Sequence, residues 1–356
     1  MRAHLDPPRR VAAGVLRVRG VDRPRQAVRI RLRDAQGLVG LGEALPLPGY
    51  SHDAADTAFA VLDLLAGSAL DLPQEAAGIA GIATALAPWD TALARAPSAR
   101  FALECAVLDL LARRAGQSAA EWLAQGRALQ AVPVSVLLPE DEAGAIAAAA
   151  VAAAQGHTVL KLKVARADRS AAQELALLAA VRGAADASAP GAVRLRLDAN
   201  GEMDPASLAQ RLREWAPFGI ELVEEPLAGD ALLNLPTLPL PWAADESLAD
   251  PVRATALLSM PRERRPVALV LKPAIHGLVR SFDLAHSAAT HALGVIVTHS
   301  LDGDLGFAAA CAFAQALPQT PCPCGLAPHG GLSRVVPPRA WLPAPSRIGL
   351  GLNEHG

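Results

Sequence analysis

Aromatic side chains, cysteine and net charge are all scarce in this chain, and each shortage narrows what the protein can be. Phe, Trp and Tyr together make up 3% of 356 residues. With 52% hydrophobic residues, a large core must therefore be built from Ala, Leu and Val. A formal net charge of −2 gives no general attraction for nucleic acid or an anionic membrane, so neither is an expected partner. Four scattered cysteines cannot form a disulfide framework in a protein of this size. Cys322 and Cys324 lie two apart, which is not the CxxC spacing of redox or zinc sites; they read as strand residues. The longest apolar run, residues 143–154, is too short to span a bilayer. The opening MRAHLDPPRRVAAGVLRVRG holds no apolar segment of signal-peptide length, so a cytoplasmic protein is expected. There is no P-loop and no complete G-x-G-x-x-G, which leaves a nucleotide cofactor without support.

What the chain does have is a series of charged residues where apolar strands should end. Lys161 and Lys163 close TVLKLKV, Asp198 closes VRLRLD, Glu224 closes GIELVEEP, Asp245 closes LPWAADES and Lys272 closes VALVLKP. One Asp after a strand is ordinarily a turn former or helix cap, and one Lys is ordinarily solvated. The set is different. Successive strand ends fall about 20 to 35 residues apart, the length of one βα unit in an eight-stranded barrel.

The organisation around them supports a barrel. Residues 10–45 alternate apolar with basic side chains and turn at Asp34-Ala35-Gln36-Gly37, which predicts antiparallel strands. Residues 52–68 and 100–125 show helical spacing, for example Phe101, Cys105, Leu108, Leu111 and Ala112. This predicts an α+β domain over residues 1–128. From Val132 onward strand and helix patterns alternate, with eight strand-like segments ending in CPCGLA. Residues 129–326 are thus expected to close into a barrel with its chemistry at the carboxyl ends of the strands. The Pro- and Gly-rich tail, 327–356, is expected to return to the first domain.

The residue types suggest one chemistry. Asp198, Glu224 and Asp245 form an all-oxygen donor set suited to Mg²⁺, with Mn²⁺ as a substitute, rather than Zn²⁺. Such a cation can hold a substrate carboxylate while the adjacent C–H loses its proton. A lysine beside like charges is favoured in its neutral form and can take that proton. Lys163 has Lys161 on its own face, and Arg196, two residues before Asp198, is expected to face it from the next strand. Lys163 and Lys272 are then the catalytic pair, on opposite sides of a small carboxylate substrate.

At these residues the chain resembles the enolase superfamily, in its muconate-lactonizing subgroup. KLK at 161–163, DANG at 198–201, VEEP at 223–226, ADES at 244–247 and LKPA at 271–274 match that subgroup in order and spacing. The resemblance implies a (β/α)7β TIM-like barrel with an N-terminal α+β capping domain. It also implies Mg²⁺ on the residues matching Asp198, Glu224 and Asp245, and acid/base work by Lys163. Within the subgroup, GLGEALPLPGYSHD at 40–53 and the helix at 97–116 are similar to the o-succinylbenzoate synthase family. That similarity implies dehydration of a succinyl-hydroxycyclohexadiene carboxylate in menaquinone synthesis. Lys161, Arg196, Asn200, Glu246, Leu45, Tyr50, Ser51, His299 and Ser300 are the expected supporting or substrate-facing residues. The capping loop, residues 45–51, is expected to cover the barrel mouth.

Other readings remain at this stage. A racemase of N-succinyl or other N-acyl amino acids needs the same barrel residues. A dipeptide epimerase is disfavoured, because CGLAPHGGL after the last strand lacks the family's Asp-x-Asp. Asp302-Gly303-Asp304 has that pattern one strand earlier, where a helix-capping role is expected. A non-enzymatic metabolite-binding barrel predicts no need for both lysines. A hydrolase using Ser300, His299 and Asp302 is poorly supported, because neighbours in one loop cannot converge as a triad and no G-x-S-x-G occurs.

Overall fold

A computed structural model describes residues 2–18, 21–73, 78–327 and 348–352. The N-terminal part is built on an antiparallel sheet of five strands. Its long strand, Val21–Asp34, pairs with Arg9–Val18, Arg2–Leu5 and Val39–Ala44, and Ala69–Asp71 adds to Arg2–Leu5. The predicted turn is present: Asp34 Oδ1 accepts from the amides of Gln36 and Leu38, each at 2.9 Å. Strands Arg2–Leu5 and Ala69–Asp71 were too short to stand out from composition.

The expected helix over 52–68 is Ala55–Leu65. The one expected over 100–125 is two helices, Pro97–Ala115 and Ala119–Ala124, divided at Gly116 in a left-handed conformation with φ 68°. The first is not amphipathic in the expected way, since every residue from Phe101 to Ala112 is buried. It runs between the sheet and the barrel, and solvent reaches it only near its ends, Arg100, Arg113 and Arg114 among them. Its two buried carboxylates act as acceptors for neighbouring elements. Asp109 accepts from Leu41 N–H at 2.9 Å and Leu350 N–H at 2.7 Å, and Glu104 accepts from Leu278 N–H at 2.5 Å. Residues 348–352 thus dock on this helix; the rest of the expected returning tail lies outside the described residues.

The second part is a parallel sheet of seven strands in sequential order: Val136–Leu137, Val159–Lys163, Arg194–Asp198, Ile220–Glu224, Trp242–Ala244, Ala268–Leu271 and Gly294–Val297. Residues 322–325 close it. Cys322 N–H donates to Val295 O and Gly325 N–H to Val297 O on one edge, while Cys324 N–H donates to Pro133 O on the other. All eight segments read from the sequence therefore meet in one barrel, and Cys324 takes its expected place in the closing strand. Inside the barrel, Leu222, Ala243, Ala268, Val270 and Ile296 pack with Cys322 as a cluster separate from the main core. Small alanines suit a tapering interior filled by side chains. Among the described residues no helix is long and apolar enough to cross a membrane.

Candidate active site

Strand register brings the charged residues to one end of the barrel. Lys163 pairs with Asp198, Asp198 with Glu224, and Glu224 with Ala243, two residues before Asp245. Because side chains alternate along a strand, Lys161, Lys163, Arg196, Asp198 and Glu224 share the interior face. Ala268 and Val270 line the interior, so the same alternation carries Lys272 inward at the end of the sixth strand.

Lys161 ties two of the acids together. Its Nζ lies 2.6 Å from Glu224 Oε2 and 2.9 Å from Asp198 Oδ2. Burial works against its charge, but Asp198, Glu224 and Asp245 outweigh it and raise the pKa above the ordinary lysine value. Asp198 is correspondingly held below the usual carboxylate range: burial would push it up, and Lys161, with Lys272 and Lys163, more than reverses that. Lys272 Nζ lies 2.6 Å from Asp245 Oδ1 and 3.5 Å from Glu246 Oε1. Burial opposes its charge too, and Asp245 and Glu246 raise its pKa in spite of it. Lys163 is held more loosely, 3.7 Å from Oε1 of the half-exposed Glu140 in the loop after the first barrel strand. Glu140 is itself fixed by Arg166, 2.6 Å away.

Arg196 does not do what was expected of it. The register sets it opposite Lys161 rather than Lys163. It is fully buried below the acids, where Nη1 donates to Pro323 O at 2.9 Å and Nη2 to Glu221 Oε2 at 3.1 Å. Its charge is balanced by Glu221, so it braces the barrel interior from the third strand to the eighth. Asn200, at φ 44°, donates from Nδ2 to Glu246 Oε1 at 3.1 Å, which links the third-strand loop to the fifth.

One supporting residue was missed. Glu225, next to Glu224, should point away from the site by strand alternation. Instead, at φ 39°, it accepts from the amides of Asp245 at 2.8 Å and Ser247 at 3.0 Å, and from the Ser247 hydroxyl. It fixes the backbone that carries Asp245. Burial pushes its pKa up to about 7, with these donors pulling the other way. The doubled glutamate in VEEP was the available signal.

The capping loop meets the rim of the barrel at its start. Leu45, with Glu43, Ser98 and Phe101, lines a small cavity shared with Ala274, Asp302, Gly303 and Gly306 from the sixth and seventh strand ends. Farther along, Tyr50 is exposed, and Ser51 Oγ accepts from Leu47 N–H at 2.8 Å within its own loop. His299 Nδ1 accepts from Leu301 N–H at 3.1 Å, and its ring lies edge-on to Phe307. Ser300 is buried, with no hydrogen-bond partner for Oγ among the described residues. There is therefore no Ser–His hydrogen bond to support a hydrolytic triad. The helix-capping role expected for Asp302-Gly303-Asp304 is not what Asp302 does. Gly303 is the N-cap of helix Asp304–Gln315, without a side-chain bond. Asp302 accepts from Ser300 N–H at 3.3 Å, and burial pushes its pKa up to about 7 against the charge of Arg25.

The donor set suits a hard cation. Asp198, Glu224 and Asp245 are each at most 3% exposed, and Glu224 Oε1 is buried without a hydrogen-bond partner. As the side chains stand, no three His, Cys, Asp or Glu residues among those described are arranged to hold a metal ion. The ammonium groups of Lys161 and Lys272 lie against these carboxylates and balance their charge.

Comparison with known proteins agrees with this architecture. Residues 7–124 match the mandelate racemase / muconate lactonizing enzyme N-terminal domain, and residues 145–353 match the enolase C-terminal domain-like family. An o-succinylbenzoate synthase from Desulfotalea psychrophila is 32% identical over 323 residues, covering 82% of this chain and 84% of that protein. The crystal structure of MenC from the same organism superposes with a TM-score of 0.73 at 27% identity, over 95% of this chain and 97% of that one. A dipeptide epimerase from Methylococcus capsulatus, solved with Mg and the dipeptide L-Arg-D-Lys, gives 0.77 at 26% identity, over 94% and 93%.

Proposed function

Since the chain belongs to the enolase superfamily, we propose that it is a lyase, an o-succinylbenzoate synthase acting in menaquinone biosynthesis. The reaction is the syn-dehydration of 2-succinyl-6-hydroxy-2,4-cyclohexadiene-1-carboxylate. The observation that carries the reading is a barrel mouth with three buried carboxylates between two lysines, on the second and sixth strands, that are held differently. Among related activities, dehydration is favoured by the o-succinylbenzoate synthase relative, which matches most of the chain. The lack of an acidic pair after the eighth strand also favours a substrate without an ammonium group.

Asp198, Glu224 and Asp245 would hold Mg²⁺, with Glu225 fixing the backbone of Asp245. The cation supplies Lewis-acid stabilisation of the substrate carboxylate as negative charge develops on it. Lys163 Nζ takes the proton from the carbon bearing that carboxylate, and the same nitrogen returns a proton to the departing hydroxyl, which leaves as water. The contact with Glu140, longer than a hydrogen bond, holds Lys163 less tightly than Asp245 holds Lys272. Lys272, paired with Asp245 and Glu246, is the cation on the other side of the ring, where a cation–π contact would stabilise the enolate.

The test is a direct assay of diene loss and product formation by the purified chain with Mg²⁺. A protein that forms no o-succinylbenzoate is not this enzyme. The epimerase likeness favours one second reading, racemisation or epimerisation of a substrate at the carbon next to its carboxylate. Deuterium entry into such a substrate from D₂O, without loss of water, would establish it.

A further inference from the structure

The two domains are tied together at the mouth by one buried arginine. Arg25 lies in the long capping strand Val21–Asp34 and is 5% exposed. Its Nη2 donates to the carbonyl of Leu45 at 3.0 Å, and its Nη1 donates to the carbonyl of Leu301. Leu45 begins the capping loop. Leu301 follows His299 and Ser300 in the loop after the seventh barrel strand. One guanidinium thus holds a main-chain carbonyl from each wall of the mouth.

Two further features mark the same seam. Leu301 has φ 55°, a left-handed conformation that a leucine keeps only where its surroundings impose it. Gly303 packs so closely on Glu43 that any β-carbon there would strike the carboxylate. Burial works against the guanidinium's charge, and Asp302 and Glu43, both buried, favour it. Among the described residues the side-chain hydrogen bonds of Arg25 go to Leu45 and Leu301, and none to the three site carboxylates.

We propose that Arg25 is a positioning residue that joins the capping loop and the seventh-strand loop into one wall, and so sets how tightly substrate is held. The proposal rests on the reading of this mouth as the active site. The planar fork of arginine offers separate N–H donors to two acceptors, whereas lysine brings one compact ammonium.

The test uses the full chain carrying Arg25→Met or Arg25→Lys, with two readouts. The first is kcat and KM for the cyclohexadiene dehydration with Mg²⁺. The second is amide hydrogen exchange of residues 45–51 and 299–303 without substrate. The Met variant should raise KM about tenfold or more with kcat within about threefold of the parent, and the Lys variant should fall between. Both loops should lose protection together. Loss confined to one loop, or a fall in kcat with KM unchanged, overturns the clamp. If the Met variant does not fold, the Lys variant decides: unchanged KM and unchanged exchange overturn the proposal. A parent chain that does not turn over the diene defeats the functional reading instead, and the exchange arm then decides the clamp alone.

Discussion

Lys272 and Lys163 end strands on opposite sides of the barrel, and their surroundings are unlike. Lys272 is fixed at both ends. Its ammonium lies against Asp245 and Glu246, and its amide donates to His276 Nδ1 at 3.2 Å. His276 is buried, and burial together with the charge of Arg280 pushes its pKa down to about 3, so it stays a neutral acceptor. A few residues on, Glu104 of the capping domain accepts from the first amides of helix Leu278–Thr290. Lys163 has one half-exposed carboxylate at 3.7 Å and no such bracing. A lysine locked in an ion pair serves as a fixed charge, and the proposed proton transfer falls to the one held less tightly. The difference in setting is what supports the proposed division of labour.

Removing each lysine should show it. Lys163→Ala should cost roughly 10⁴-fold in kcat, the upper range for a lost acid/base, and leave Mg²⁺-dependent product binding in place by calorimetry. Lys272→Ala should cost less, roughly 10² to 10³-fold, as expected for loss of one stabilising charge. Equal losses in steady-state assays would erase the distinction.

The bracing on the Lys272 side has a pH signature. Glu104 is pushed up to about 7 by burial, against the pull of the Leu278 amide, whereas in the unfolded chain it titrates near 4.5. Between those values the native state holds a proton that the unfolded state has released. The stability contribution is present below about pH 4.5, falls as pH rises toward 7, and is flat above it. Glu104→Gln should remove up to about 3 kcal/mol of that slope in urea titrations from pH 5 to 8. An unchanged slope would show that Glu104 is ionised throughout. The smallest effect belongs to the looser side: Glu140→Ala should lower kcat/KM by less than about tenfold, because its contact with Lys163 is partly solvated. A loss as large as that of Lys163→Ala would make Glu140 part of the proton transfer and break the contrast.

Most of the barrel was legible because its signals are local. Each strand is a short apolar run with a charged end, and strand alternation fixes which side chains face inward. What escaped depends on contacts between elements. Glu225 reads as pointing outward until its left-handed turn presents it to the next loop. Arg196 reads as a neighbour of Lys163 until register moves it opposite Lys161 and Glu221 claims it. Helix Pro97–Ala115 reads as one-sided, but from Phe101 to Ala112 it is buried on every side between the sheet and the barrel. Arg25 carried no local signal, since its partners are two carbonyls far away in sequence.

The most direct test of the division of labour is to compare kcat/KM for Lys163→Arg and Lys272→Arg in the dehydration assay under saturating Mg²⁺. An arginine keeps a fixed positive charge but does not release its proton. Lys272→Arg should therefore retain clearly more activity than Lys163→Arg. The reverse order would exchange the roles of base and electrostatic partner, and near-normal rates in both would contradict catalysis by either lysine.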